Sequence, residues 1–262
     1  MNDYRSIALY MGAATQAAKL CSLTARIAQA HGAEIDALCP PDALPCEAVR
    51  KLLHEAGAQA SCRGMPEGAS ALLEHARGAD LLVLSQPYLE SEHAASQHFA
   101  SQLLVDTNCP VLFVPRPKEL GTSCGTRVLV AWDGRHESAR ALRDALPLLQ
   151  RAAEVSVRSY GHTGSSAARS LESAVQLLRR HGVAARHAVQ RRGDADYAPD
   201  ALMTPTLLDS TVGELLLSDA ADLGADLLVM GAYGHSRAQE WMLGGVTRSM
   251  LSSMTVPVLM SH

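Results

Sequence analysis

The residues best suited to chemistry lie near the carboxy end, in Gly231-Ala232-Tyr233-Gly234 and, nine residues further on, Gly244-Gly245-Val246-Thr247-Arg248. Glycine lets main-chain N–H groups approach an anion closely and adopts positive φ cheaply. A helix beginning at Gly245 or Val246 would aim its free N–H groups and the positive end of its dipole at the same place. The Thr247 hydroxyl adds a donor, and Arg248 or Arg237 adds charge. The chemistry this suits is phosphate binding, although glycines in such loops also serve turns alone. About a hundred residues earlier, an apolar run ends at Asp133-Gly134. An acid at a strand end can face a ribose, or Asp-Gly can be a plain turn.

Other constellations carry less. All three lysines (Lys19, Lys51, Lys118) fall in the first half, and no GxxxxGK[ST] loop occurs, so phosphate is not held by a P-loop. The six cysteines (Cys21, Cys39, Cys46, Cys62, Cys109, Cys124) include no CxxC pair. They read as small buried or surface thiols in a reducing compartment, with zinc the weaker alternative and no metal site expected. His93 and His98, near Glu92, are five residues apart, which does not stack them on a helix face, so Glu90–His98 reads as a solvated loop. Arg179, Arg180, Arg191 and Arg192 read as a helix end and loop in solvent. No catalytic set emerges: His235 and Asp133 alone define no reaction. His235, beside the glycine loop, is the one candidate general base, so the chain is read as a binder and not a dedicated enzyme.

The elements that must position these residues alternate in period. In the second half, strands are expected at 127–132, 155–160, 183–190, 226–230 and 256–260, each a continuous apolar run. Helices are expected at 136–151 (interrupted near Pro147), 166–181 (stopped by Gly182), 212–223 (stopped by Gly224) and 246–253. Residues 191–210 show no period and are read as a loop, long enough to serve as a lid or to be disordered. Continuously apolar strands alternating with helices imply a parallel sheet covered on both faces, and right-handed crossovers make it doubly wound. Ligands of such sheets sit outside the carboxyl ends of the strands, where Asp133 and the glycine loop both fall.

The chain also reads twice. Asp80-Leu-Leu-Val-Leu84 recurs as Asp226-Leu-Leu-Val-Met230, and Cys109-Pro-Val-Leu-Phe113 as Val256-Pro-Val-Leu-Met260. Ser6–Gly12 aligns with Val128–Gly134. The expected organisation is therefore two tandem α/β units, residues 1–122 and 123–262, packed as an intramolecular pseudo-dimer; a further homodimer is compatible with it. In the first half, Met11 stands in the place of Asp133 and Ser85-Gln86-Pro87-Tyr88 in that of Gly231–Gly234, so no phosphate site is expected there. A net charge of −4, with no basic concentration, argues against nucleic acid as the main partner. No apolar run reaches the roughly 18 residues that span a bilayer, and no leader is evident, so the cytoplasm is the expected location.

Gly231, Gly234 and Gly244 resemble the G-x2-G-x9-G-[ST] signature of ATP-binding universal stress proteins, and Val128–Gly134 looks like that family's first strand. The element order of the whole second half is similar, the first half more faintly, as in a tandem universal stress protein. The resemblance implies a stress-response protein binding ATP, or AMP or ADP, through the second half, any Mg2+ arriving with the nucleotide. It implies that Asp133 meets the ribose and adenine end, that Gly231, Gly234, Gly244, Gly245, Val246 and Thr247 line the phosphates, and that backbone near Tyr160 meets the base. One departure stands out: Gly245 occupies the signature's Ser/Thr position, which removes a hydroxyl. The alternative is a nucleotide-free scaffold of the same fold serving protein contacts.

Overall fold

The computed structural model describes residues 3–12, 14–87, 94–116, 123–160, 165–190, 205–233 and 244–262. Among these residues ten strands form one sheet: β1 (Ser6–Tyr10), β2 (Glu34–Cys39), β3 (Ala60–Gly64), β4 (Leu81–Ser85), β5 (Val111–Val114), β6 (Arg127–Trp132), β7 (Glu154–Tyr160), β8 (Ala185–Gln190), β9 (Leu227–Gly231) and β10 (Val258–Ser261). Their order is β3-β2-β1-β4-β5-β10-β9-β6-β7-β8. Each half contributes five parallel strands in the same doubly wound order, and the two sets meet at β5 and β10. That junction is antiparallel, with Phe113 opposite Val258, Leu112 opposite Leu259 and Val111 opposite Met260.

Nine helices cover the described sheet: α1 (Ala17–His31), α2 (Cys46–Glu55), α3 (Ala69–Ala76), α4 (Ala94–Asp106), α5 (His136–Asp144), α6 (Leu146–Leu149), α7 (Ser165–Arg180), α8 (Pro205–Asp222) and α9 (Gly245–Ser253). Because successive strand residues point to opposite faces, the apolar runs split into two cores. Ile7, Leu9, Val128, Val130 and Val229 pack under α1, α2 and α5 to α7. Leu82, Phe113, Leu129, Leu228 and Met260 pack under α3, α4, α8 and α9. No helix among the described residues is long and apolar enough to cross a membrane.

Local signals explain most boundaries. Gly182 and Gly224 sit at φ +77° and +57°, left-handed conformations that end α7 and α8, and the next residues close the turns through Val183 N–H to Leu178 O (2.9 Å) and Ala225 N–H to Ala220 O (2.8 Å). The repeated aspartates have matching tasks. Asp80 accepts from the amides of Arg5 and Ser6 at 2.7 and 3.0 Å, and Asp226 from those of Gly125, Thr126 and Arg127 at 2.9–3.2 Å. Each carboxylate ties the start of a central strand to the strand beside it.

Two loop expectations require correction. Pro205 opens α8, because the N–H of a first helical position has no partner within the helix and proline loses nothing by lacking it, so residues 205–210 are helical; residues 191–204 lie outside those described. α8 also carries Gly213 in its interior, where an added Cβ would lie 2.7 Å from Ser249 Oγ of α9, so the glycine serves helix contact there. Likewise α4 starts at Ala94 and places an exposed His98 on a helix, while His93 and Glu92 lie outside the described residues.

The halves also meet beside the seam. Tyr4 Oη donates to the Asp144 carbonyl at 2.8 Å, and Asp3 bonds both His31 (3.1 Å) and Arg151 (3.2 Å). Burial pulls the His31 pKa below its ordinary value, opposed by the hydrogen bond to Asp3. The unfolded chain therefore protonates His31 first, near pH 6.5, and stability is lost as pH falls from there toward the lower folded value. Urea unfolding at pH 7.5 and 5.5 should show a loss at the lower pH that His31→Gln reduces; an unchanged pH dependence in that variant would contradict the assignment.

Candidate functional site

β6 and β9 are parallel neighbours, with Val128 opposite Leu227 and Val130 opposite Val229. From β6 the chain winds outward to β7 and β8, and from β9 the other way to β10, so the order reverses between β6 and β9. A crevice outside the carboxyl ends of these strands is the place where such folds hold ligands. Asp133 leaves β6 there, and Gly231–Tyr233 leave β9 beside it. Because α9 links the parallel strands β9 and β10, its amino end lies at the same rim. The topology thus brings Asp133, Gly231, Gly244, Gly245, Val246 and Thr247 to one end of the sheet; Gly234, His235 and Arg237 lie outside the described residues.

The glycines have different reasons to be glycine. A Cβ on Gly231 would stand 2.6 Å from the backbone of Glu137 and Ser138, so this residue lets the first turn of α5 lie directly on β9. At Gly244 an added Cβ meets nothing within 4 Å among the described residues, and its backbone (φ −56°, ψ 150°) suits any residue. Packing does not call for glycine there; close approach of an outside group would. Gly244 is the N-cap of α9 and no side chain caps that helix, which leaves its first amides available to an external acceptor. Gly245 and Val246 are half-buried and Arg248 is exposed, whereas Thr247 turns inward and is 3% exposed.

Asp133 is exposed, and its carboxylate accepts from the Arg135 amide at 2.9 Å, with the Arg135 guanidinium 3.9 Å away. The turn role anticipated for it is therefore real; it occupies Oδ1 and leaves Oδ2 toward solvent and Arg135. Tyr233 holds a positive φ of 64°, uncommon for a residue with a side chain. Its ring is buried and packs edge-on to His262, centroids 5.6 Å apart, while His262 Nδ1 lies 3.2 Å from the Ala232 carbonyl. Burial pushes the Tyr233 phenol up to about 12, the Ser101 hydroxyl of α4 acting in the opposite sense. The start of the glycine loop is thus packed against the last residue of the chain.

The side chain of Tyr160, at the end of β7, turns onto α8 and donates to Asp219, which also pairs with Arg158 at 2.9 Å. Asp219 is 6% exposed, and burial followed by this hydrogen bond drives the Tyr160 phenol far above its ordinary range. Periodicity alone does not reveal the trio. Its trace is an acid at the otherwise apolar face of α8 and an arginine inside a strand.

In the first half, Ile7 lies opposite Leu81 as Val128 lies opposite Leu227, so the place of Asp133 is held by Gly12 and not, as expected, by Met11, which is buried at the place of Trp132. Gln86, which stands where Ala232 does, is 5% exposed; its amide donates to the carbonyls of Leu251 (2.7 Å) and Ser252 (3.2 Å) at the end of α9, and its carbonyl accepts from the Arg116 amide at 3.0 Å. The residue that displaces the glycine motif thus closes a helix of the other half.

Two substitutions separate packing from ligand roles. Gly231→Ala must part β9 from α5 and should cost about 1–3 kcal/mol. Gln86→Ala should cost about 1–3 kcal/mol by leaving buried backbone groups unmatched. Denaturant unfolding measures both, and a wild-type midpoint in either case would refute the packing described.

The universal stress protein family profile matches residues 126–262. No curated protein matches the chain significantly in sequence. Among solved structures, a universal stress protein from Archaeoglobus fulgidus DSM 4304 superposes with a TM-score of 0.71 at 16% identity, over 98% of this chain and 97% of its own. A functionally unknown protein from Pseudomonas aeruginosa PAO1 gives 0.65 at 15% identity, over 98% and 92%. The cytoplasmic domain of a prokaryotic cation chloride cotransporter gives 0.57 at 12%, over 99% and 95%. At these identities the likeness speaks to the fold, and it extends over both halves. By the profile match across more than half its length, the chain belongs to the universal stress protein family.

Proposed function

We propose that this protein binds an adenine nucleotide, ATP or its di- or monophosphate, in the crevice between the carboxyl ends of β6 and β9. On this reading residues 123–262 form the binding unit, and residues 1–122 form a unit of the same fold without a phosphate site, packed on it as an internal pseudo-dimer. The observation that carries the reading is Gly244, a glycine that no packing among the described residues requires, at the uncapped amino end of α9. Phosphate oxygens accept well from such amides, and the helix dipole favours their charge. Asp133, exposed at the end of the neighbouring strand, supplies a carboxylate for ribose hydroxyls.

Two features bear on strength. Gly245 removes the hydroxyl that the family signature carries at that position, and the inward turn of Thr247 does not replace it at the surface. The described residues hold no nucleophile and base in reach of each other at this rim, so the proposed activity is binding, with turnover slow at most.

Calorimetry with ATP, ADP and AMP, with and without Mg2+, tests the reading; no heat of binding at millimolar nucleotide sinks it and favours the scaffold. Asp133→Ala should weaken any binding found by about tenfold or more, the worth of a charge-assisted hydrogen bond. Gly244→Val should fold as the wild type and lose binding, since its backbone tolerates a side chain. Gly245→Ser should tighten binding several-fold.

A further inference from the structure

Three thiols come together away from the nucleotide crevice. Cys39 is the last residue of β2, Cys46 the first of α2 and Cys62 lies in the middle of β3. Their sulfurs all lie within 4.8 Å of one another, and those of Cys39 and Cys62 are 3.5 Å apart. All three are free cysteines; Cys39 is buried, while Cys46 and Cys62 are half-buried, which gives an ion a way in. The parallel register sets Cys62 opposite Ala37, two residues before Cys39, so both thiols leave the same face of the sheet. Pro40, Pro41 and Pro45 stiffen the short connection that delivers Cys46, and an Ala43 N–H to Pro40 O bond (3.0 Å) closes its turn.

We infer that Cys39, Cys46 and Cys62 form a site for one soft d10 metal cation, with Cu(I) the best match. The donor set is three sulfurs with no imidazole or carboxylate oxygen among the described residues of the group, and thiolates select Cu(I) and zinc over harder ions. Metal–sulfur bonds of about 2.3 Å require sulfur–sulfur edges of roughly 3.8–4.0 Å. The thiols bracket those edges, and small side-chain rotations would reach them. Three protein donors satisfy Cu(I) in a trigonal plane, whereas Zn(II) would need water or another group as a fourth ligand. Binding replaces three S–H protons by three metal–sulfur bonds and releases those protons to solvent; no sulfur is oxidised.

The site is independent of the nucleotide reading. The corresponding position to Cys39 in the second half is Ser159, because Ile7 pairs with Leu81 and Tyr10 with Leu38 as Val128 pairs with Leu227 and Ala131 with Arg158. A hydroxyl there is here a thiol facing two others.

The test is anaerobic titration of the fully reduced full-length chain with Cu(I), using bathocuproine disulfonate as competitor, and in parallel with Zn(II). One equivalent of Cu(I) should bind, with near-ultraviolet thiolate-to-copper absorption and a raised unfolding midpoint. Cys46→Ser and Cys62→Ser should each weaken uptake at least tenfold, and Cys124→Ser should leave it unchanged. In the wild-type chain, Cu(I) should protect Cys46 and Cys62 from alkylation, a readout that requires no variant to fold. No uptake, uptake that survives both serine substitutions, protection that spares neither thiol, or Zn(II) binding without Cu(I) would each overturn the assignment.

Discussion

The antiparallel bonds between β5 and β10 are what allow two parallel sheets to exist as one molecule. A parallel sheet needs cover on both faces, and its outermost strand presents unpaired amides and carbonyls that invite another chain. Here the outer strands of the two halves satisfy each other, with Phe113 fully buried at the junction. The remaining contacts between the halves follow from that seam. Gln86 reaches α9, Tyr233 reaches α4, and Asp3 reaches Arg151 because β5 and β10 have already set the distance between the elements that carry them.

The seam also accounts for the unequal fate of the repeated motif. In the second half, the small Ala232 follows β9, and no side chain caps α9. In the first half the same stretch supplies Gln86, whose two hydrogen bonds to the carbonyls of Leu251 and Ser252 fasten the halves together. The alanine of the other half could not make these bonds, and a glutamine at position 232 would fill the space behind the loop. One copy serves cohesion and the other keeps its rim open.

Much of this was legible in the sequence. Continuous apolar strands, helices ended by Gly182 and Gly224, the duplicated Asp-Leu-Leu-Val runs and the approach of Asp133 to the glycine loop all follow from local periodicity and one topological rule. What escaped was set by tertiary contact. Pro205 reads as a breaker until its place as the first helical residue is known. Gly231 reads as a phosphate ligand, although the backbone of α5 already requires it to be glycine. Arg158, Tyr160 and Asp219 lie some sixty residues apart, and Cys39, Cys46 and Cys62 follow no metal-binding spacing, since a sheet register and not a short motif unites them. A site assembled across neighbouring strands leaves almost no trace in linear spacing.

The reversal of direction at β5 and β10 has a geometric consequence for anything that approaches the molecule. The carboxyl ends of β1 to β5 face one way and those of β6 to β10 the other, so the three thiols and the Asp133 rim look out from opposite poles. A visitor to one pole cannot touch a visitor to the other, and neither blocks the other's path. If occupancy at one is felt at the other, the message must pass along the strands and through the seam, where Gln86 holds the last turn of the helix whose first turn borders the crevice.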